Sequence, residues 1–389
     1  MLKILLKIIP FKKIRHRLRA EYTCVKLRRR GNKKSVLLSY IASAVNVKND
    51  QDKRLTKHSN KWECREIARI FLDLGYNVDA IDFDNILFKP RHKYDVIFDI
   101  DNNINRLNNF ADIKILHLTG SYPRYQIERA SKRNDEFNRT HNCNYSYLRE
   151  CGADYFDDSL NNANYCTLIG NEHTKSTYPE KYQSKIHPVP VTASYLSYIK
   201  TKSEFVPQSK EFLFFAGTGC VHKGLDLVLD TFIKHPKWIL NVVGAFNSEQ
   251  DFWNYYNPIL KNCPNIHIHG FVIPESEDFI KICKRCFCFV FPSCSEGTAS
   301  GAITALTVGM FPIISTDCGL DLPEKCGIIT DNLTVDGLEK NIQTLMQMSD
   351  TKIANQIEKI QSDITLRHSR ENFTRSMLYE IKRALKAHD

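Results

Sequence analysis

The stretch FLFFAGTGCVHKGLDLVLDTF, residues 212–232, contains an apolar run, a turn with two glycines and an amphipathic segment in direct succession. A short apolar run that ends at a glycine favours a buried strand, and apolar residues spaced three and four apart favour a helix. A strand that turns directly into a helix is the repeating unit of a parallel sheet covered by helices. The stretch therefore predicts an α/β domain.

The same alternation continues on both sides of this stretch. A polar segment, roughly 193–211, separates an earlier set of strands from a later one and is expected to connect two domains. The strands predicted besides 212–217 are 35–42, 77–83, 94–100, 113–120, 164–170, 185–191, 238–244, 265–271, 287–292 and 311–316. Two doubly wound α/β domains with a cleft between them bind ligands at the carboxyl ends of their strands.

The net charge of +10 is concentrated at the start of the chain. Residues 1–34 hold thirteen Lys and Arg against Glu21 alone, a charge of +12 that leaves −2 for the rest. A nucleic-acid enzyme more often carries cations along its binding face, so we expect no nucleic-acid partner. Apolar residues are interleaved with these cations, which favours an anionic membrane surface as partner. A solvated terminal helix and a protein- or nucleic-acid-binding arm are the alternatives.

The expected location is cytoplasmic, peripheral on the inner membrane face. The sequence has no run of 18 apolar residues, and the segment before residue 34 is a poor secretory signal. Thirteen cysteines without a framework fit a reducing compartment. Cys283, Cys286, Cys288 and Cys294 suggest a zinc site, but the alternation in CFCFVFP favours buried strand thiols, so no metal site is expected.

Two turns in the second half of the chain are suited to an anion. A predicted strand ends at Gly217, and Lys223 begins the next helix. In FPSCSEGTASGAITALTVG (291–309), Glu296 precedes the amides of residues 297–300 at another helix start. Helix-start amides attract phosphate, and a carboxylate beside them suits sugar hydroxyls. Ordinary α/β turns and a well-capped helix are the alternatives.

Residues 212–321 resemble the donor-binding half of the GT-B glycosyltransferases, especially the large retaining group. The motifs AGTGCVHKGLDLVLDTF, VVG, NIHIHGF, VFPSCSEG and ALTVGMFPIISTDCG come in the order and spacing of that group. Five ordered motifs are far more specific than any one of them. The resemblance implies an α/β fold of two doubly wound Rossmann-like domains facing a cleft, with C-terminal helices.

The resemblance also implies a site for a nucleotide-diphosphate sugar as donor substrate, with no cofactor and no metal. Lys223 would contact the diphosphate, residues 297–300 would cradle it, and Glu296 would hold hydroxyls of the donor sugar. His117, near a predicted strand end in HLTGSYP, would face the cleft and share the catalytic role with Glu296; an ordinary strand-end residue is the alternative. The other donor-binding residues that it implies are Gly217, Thr218, Gly270, Phe271, Gly297, Thr298, Ala299, Ser300 and Thr304.

Two positions depart from the pattern of the resembled group. Thr218 stands where the group commonly has an arginine, and Thr304 stands where it has a second glutamate that holds the donor ribose. Both changes alter donor contacts, although a threonine hydroxyl still forms hydrogen bonds.

A cluster of basic residues in the region 121–140 is expected on a solvated helix face, with contact to the acceptor as the alternative. Its members are Arg124, Arg129, Lys132 and Arg133.

The sequence therefore predicts a retaining, metal-independent glycosyltransferase that moves a sugar to a saccharide or lipid-linked acceptor in cell-surface polysaccharide synthesis. A non-catalytic GT-B-fold protein that binds a nucleotide or a glycan is the alternative, and a sugar-nucleotide epimerase of the same architecture is a third class. The predicted parts are a basic leader (1–34), an N-terminal acceptor-side domain (35–200), a C-terminal nucleotide-sugar-binding domain (205–365) and a helix (366–389) that packs back on the N-terminal domain.

Overall fold

The computed structural model describes residues 24–49, 52, 55, 59–149, 151–194, 196–246 and 249–387. Most of the predicted basic leader, including its amphipathic start, lies outside these residues. The described residues form two sheets, one in each half of the chain, with helices between most successive strands. The predicted α/β class with two doubly wound domains is confirmed.

The N-terminal sheet has seven strands in the order β1-β3-β2-β4-β5-β6-β7. Its strands are parallel except β1, which pairs antiparallel with β3. The strands are β1 (Val25–Leu27), β2 (Lys34–Tyr40), β3 (Tyr76–Asp82), β4 (Tyr94–Asp99), β5 (Ala111–Leu118), β6 (Tyr165–Ile169) and β7 (Ile186–Val189). The helices in this half are α1 (Ala42–Val45), α2 (Ser59–Asp73), α3 (Asn103–Arg106), α4 (Pro123–His141), α5 (Phe156–Asn162), α6 (Glu172–Ser176) and α7 (Glu180–Gln183).

The C-terminal sheet has six parallel strands in the order β10-β9-β8-β11-β12-β13. Its central strands are mostly apolar because helices cover both faces. The strands are β8 (Glu211–Ala216), β9 (Leu240–Gly244), β10 (Ile266–Gly270), β11 (Cys286–Phe291), β12 (Phe311–Ser315) and β13 (Ile328–Thr330). The helices are α8 (Leu225–Lys234), α9 (Gln250–Leu260), α10 (Glu277–Arg285), α11 (Ser300–Val308), α12 (Val335–Met346), α13 (Asp350–Arg367) and α14 (Arg370–Lys386).

Two edge strands, β1 and β13, were not predicted from the sequence. Each is three residues long and only partly buried, so neither shows a periodic apolar pattern. Strand β1 lies within the stretch that was assigned to the basic leader, so the N-terminal sheet begins before residue 35. An edge strand of this length forms because a neighbouring strand offers unpaired backbone groups.

Helix α14 leaves the C-terminal domain and packs against the N-terminal one. Phe373 meets Trp62 of α2 edge-on, with ring centroids 6.0 Å apart. The hydroxyl of Tyr165 on β6 donates a hydrogen bond to Glu380. Helix α13 stays with the C-terminal domain, where it packs on α11 and β12. The chain therefore crosses between the domains a second time, at residues 368–369.

Helix α4 joins the two domains with its basic residues. Arg129 donates to Asp317 at 2.8 Å, and Arg133 donates to Asp226, whose side chain is 2% exposed. The expectation of a solvated basic face is therefore wrong for these two arginines, although Lys132 is exposed. A spacing of three or four residues in the sequence places charged side chains on one face of a helix. It does not show which acidic residues of another domain pack against that face.

Removal of the Arg133 side chain should destabilise the protein strongly. Arg133→Ala leaves the Asp226 carboxyl buried without its partner, and we expect a loss of about 3 kcal/mol in the free energy of unfolding. Denaturant unfolding followed by circular dichroism measures it. Lys132→Ala, at the exposed neighbouring position, is the matched control and should change stability by less than about 0.5 kcal/mol. Equal midpoints for the two variants would contradict the interpretation of Arg133 as a buried interdomain cation.

Candidate active site

A buried ion pair joins two turns of the C-terminal domain. The Lys223 ammonium lies 2.5 Å from a carboxylate oxygen of Glu296, and each side chain is 11% exposed. Lys223 precedes Gly224, which has φ +75° at the start of α8. A Cβ on Gly224 would lie 2.5 Å from the carbonyl oxygen of Pro292, so a glycine is needed for the turn to pack against the loop after β11. This close approach brings Lys223 to Glu296.

The surroundings of Glu296 keep its carboxylate ionised. Burial alone would raise its pKa, but the Lys223 ammonium and the Arg149 guanidinium outweigh burial and lower the pKa to about 2. The hydroxyl of Ser293 donates a further hydrogen bond to this carboxylate at 2.9 Å. Glu296 is therefore an acceptor of hydrogen bonds and a fixed negative charge at any physiological pH.

His222 fixes the same two turns to each other and is neutral. Its Nε2 lies 2.6 Å from the carbonyl oxygen of Ser295, which can only accept, so Nε2 carries the hydrogen. Burial lowers the pKa of His222 to about 4. Its carbonyl oxygen accepts from the amide of Cys294 at 2.9 Å. His222 was not among the predicted site residues, because its only signal in the sequence is its position beside Lys223.

A cavity of about 530 Å³ lies between the two domains. On the side of the cavity formed by the N-terminal domain, the Tyr155 hydroxyl donates a hydrogen bond to Asp101 at 2.8 Å. Carboxylates, hydroxyls and exposed backbone dominate the lining, which suits a ligand rich in hydroxyl groups. Glu296 and Gly297 line the C-terminal side, and the polar lining residues of the N-terminal side are Asp84, Asp101, Thr119, Ser121, Gln126, Arg149 and Tyr155.

The start of helix α11 lies beside the end of strand β8. A Cβ on Gly301, in the first turn of α11, would lie 2.5 Å from the carbonyl oxygen of Phe215. Gly217 and Thr218, just beyond β8, are exposed, as is Ser300. The first amides of a helix have no acceptor within the helix and attract anions. The three predicted donor-binding residues on this edge are therefore exposed beside the first amides of α11, and their role in donor binding stays a prediction.

The loop from Gly297 to Ala299 is held by bonds that restrict the predicted phosphate cradle. The Ala299 amide donates to the carbonyl oxygen of Cys318 at 3.0 Å, and the Thr298 hydroxyl donates to that of Gly319 at 3.1 Å. The Gly297 carbonyl oxygen accepts from Thr174 of the N-terminal domain at 3.0 Å. The Ala299 amide is therefore not available to a ligand, and the prediction of a cradle from all of residues 297–300 is corrected on this point.

Thr304 does not face the place predicted for a ribose. Its side chain is 1% exposed, and its hydroxyl donates to the Ser300 carbonyl oxygen of the preceding helical turn at 2.9 Å. The prediction that Thr304 binds the donor is wrong for this structure, because a threonine inside a helix satisfies its hydroxyl on the helix itself.

Gly270 and Phe271, which were predicted to bind the donor, lie at the carboxyl end of β10, two strands away from β8. Phe271 is 68% exposed there.

His117 does not reach the cavity, and the prediction that it faces the cleft is wrong. It lies within strand β5, opposite Thr167 of β6, whose hydroxyl is 2.8 Å from its Nδ1. The imidazole is fully buried against Tyr40 and Phe98, and burial lowers its pKa to about 3. Strand β5 continues to Leu118. The residues of this segment that line the cavity come after the strand and begin with Thr119.

Arg149 is a site residue that the sequence analysis missed. It belongs to the N-terminal half, in the irregular stretch between α4 and α5, and its guanidinium lies 3.7 Å from the Glu296 carboxylate. It also lines the cavity. No motif or apolar periodicity marks this stretch, so the sequence alone offers no signal for Arg149.

The cysteine cluster lies in the core of the C-terminal domain. Cys283, Cys286, Cys288 and Cys294 are buried free thiols, and burial raises the pKa of Cys294 to about 12. In the part of the chain that the structure describes, no three or more His, Cys, Asp or Glu side chains are grouped as metal ligands would be.

Among the helices of the described residues, none is both long and apolar enough to cross a bilayer.

Residues 209–348 match the family model described as glycosyl transferases group 1. These residues include both turns of the ion pair and most of the C-terminal sheet. A search of curated protein sequences found no match to the chain.

Solved structures share the architecture of most of the chain, across both domains. Sucrose-phosphate synthase from Thermosynechococcus elongatus superimposes with a TM-score of 0.65 and 14% sequence identity, over 92% of this chain and 100% of the other. HepE from Anabaena, in complex with UDP, superimposes with a TM-score of 0.59 and 12% identity, over 91% of this chain and 100% of the other. Identities this low establish a shared fold, which is GT-B.

The ion pair makes a prediction about stability and pH. Lys223→Ala leaves the Glu296 carboxylate buried with only the more distant Arg149 as counter-charge, so we expect a loss of about 3 kcal/mol in unfolding free energy near pH 7. Unfolding in denaturant at several pH values measures it, and Lys237→Ala, at an exposed position beyond the other end of α8, is the control.

The pH dependence of this loss has a definite sign. In the wild type the folded-state pKa of Glu296 is about 2, below its ordinary 4.5, so the stabilisation is present above pH 4.5 and disappears as the pH falls toward 2. In Lys223→Ala the Glu296 carboxyl takes up a proton at a higher pH. Protonation removes the cost of burying a carboxylate charge that has lost its lysine partner. The difference between the two proteins should therefore shrink as the pH falls below about 5. A difference that does not change with pH would show that Glu296 is not the group responsible.

Proposed function

We propose that this chain, whose residues 209–348 match the group 1 glycosyl transferases, transfers a sugar from a nucleotide-diphosphate sugar to a saccharide or lipid-linked acceptor. The observation that carries the proposal is the buried Lys223–Glu296 pair at the edge of an interdomain cavity, beside the start of helix α11. A cation with helix-start amides suits a diphosphate, and a carboxylate in the cavity wall suits sugar hydroxyls.

The proposed roles follow from the charge that develops in the reaction. Cleavage of the bond between the sugar and the diphosphate leaves negative charge on the phosphate oxygen and positive character on the sugar. Lys223 and the first amides of α11 stabilise the leaving phosphate, in place of a metal ion. Glu296, ionised in the cavity wall, accepts hydrogen bonds from donor-sugar hydroxyls. The proposal includes retention of anomeric configuration, which rests on the resemblance to the retaining group alone.

The acceptor is proposed to enter from the N-terminal side of the cavity. Asp84, Asp101 and Tyr155 offer carboxylates and a hydroxyl to a polyol there. A role in cell-surface polysaccharide synthesis on the cytoplasmic membrane face is part of the proposal, and its support is the basic amphipathic sequence before residue 34. HepE was solved with UDP and with UDP-glucose, so uridine nucleotides are the first donors to test.

The test measures hydrolysis and transfer with a panel of UDP and GDP sugars. Lys223→Met and Glu296→Gln should each lower kcat/KM by about 100-fold or more, since removal of one group that stabilises developing charge has an effect of that size. Because either change leaves the other charge buried alone, the double variant Lys223→Met/Glu296→Gln is included; it removes both charges together and should fold but be inactive.

The exposed residues Lys237 and Glu277 provide matched controls, as Lys237→Met and Glu277→Gln, which should keep wild-type activity. A folded double variant with wild-type kcat/KM would refute the proposed site. Thermal stabilisation of the wild type by UDP or GDP without turnover of any sugar nucleotide would favour the alternative, a non-catalytic nucleotide-binding protein of the same fold.

A further inference from the structure

The Lys223–Glu296 pair carries no net charge, although a diphosphate brings at least two negative charges to it. The ammonium and the carboxylate are 2.5 Å apart, so their charges cancel at any distance beyond the pair itself. His222, 4.0 Å from the carboxylate, is neutral because burial lowers its pKa to about 4. A diphosphate at this place therefore needs a further cation.

Arg149 is the cation that the structure places there. Among the described residues that line the cavity, three are acidic and Arg149 alone is cationic. Its guanidinium lies 3.7 Å from a Glu296 oxygen, beyond hydrogen-bond distance, so this contact leaves its donors free. The side chain is 40% exposed, which gives a ligand access to it.

The stem of Arg149 lies over the turn that leads to Lys223. A Cβ built on Gly219, in that turn, would be 3.6 Å from Cδ of Arg149, an ordinary packing distance. Gly219 has φ +95°, so a glycine suits the turn beneath the arginine. The stem of Arg149 thus packs on the turn after β8, and its guanidinium lies beside the carboxylate in the loop after β11.

The other arginines that approach from the N-terminal domain are already paired. Arg129 donates to Asp317 at 2.8 Å, and Arg133 donates to the buried Asp226. Both hold the domains together and neither lines the cavity. Arg149 differs from them because it crosses to the C-terminal domain without a hydrogen-bonded carboxylate at its end.

We propose that Arg149, which reaches the site from the N-terminal domain, binds the donor diphosphate. The inference rests on the proposed function and assigns that function a residue outside the C-terminal domain. A planar guanidinium with five donors suits the oxygens of a diphosphate.

The test compares ligands that differ only in phosphate. Isothermal titration of the full chain with UDP, UMP and uridine, or with the corresponding guanosine series where that base binds, gives three affinities for each variant. Arg149→Met should weaken diphosphate binding about 10- to 100-fold, the value of one or two charge-assisted hydrogen bonds. Binding of the nucleoside should not change, and Arg149→Lys should give an intermediate affinity, because it restores the charge but not the planar fork.

Arg139→Met, an exposed charge removal on α4, is the control for long-range electrostatics and should bind like the wild type. Equal losses for diphosphate and nucleoside with Arg149→Met would overturn the inference in favour of a structural role. Wild-type diphosphate affinity in Arg149→Met, together with lost affinity in Lys223→Met/Glu296→Gln, would overturn Arg149 and leave the proposed function intact. Absence of binding by the wild type to every nucleotide diphosphate would overturn both.

Discussion

The ion pair between Lys223 and Glu296 is the interaction on which the rest of the site depends. The pair forms because the turn before α8 packs against the backbone of Pro292. This contact leaves no room for a side chain at Gly224. Charges with so little solvent around them are tolerated only when each has its partner. The pair therefore fixes both turns relative to the sheet, and with them the edge where helix α11 begins.

The contact between the domains is as close as the contact within the site. A Cβ on Gly297 would lie 2.6 Å from the Ile169 carbonyl oxygen and 2.9 Å from that of Thr119, both in the N-terminal half. The two domains thus meet backbone to backbone beside Glu296. Hydrogen bonds from Thr174 and Ser121 reach the same loop from the N-terminal side. The cavity is formed by this closed arrangement, because Glu296 lines it together with residues of the opposite domain.

Much of the fold could be predicted because strands in a parallel sheet are apolar along their length and glycines mark where they end. The eleven strands with such patterns lie within a few residues of their predicted positions, whereas β1 and β13 form only because a neighbouring edge is free. The turns that carry Lys223 and Glu296 could be predicted for the same local reason. His117 and Thr304 were misplaced because a sequence motif does not show whether a side chain faces the cleft or the core. Arg149 could not be found because its role depends on how two distant segments meet.

The return of helix α14 to the N-terminal domain has a consequence for how the protein is made. The C-terminal sheet is built from one continuous stretch of chain, so a nascent polypeptide holds all of it before α14 appears. The N-terminal domain is not complete at that stage: the Trp62 ring and the Tyr165 hydroxyl meet their partners on α14 only after that helix has left the ribosome. Domains usually fold in the order of their synthesis. Here the domain that is synthesised first is finished last.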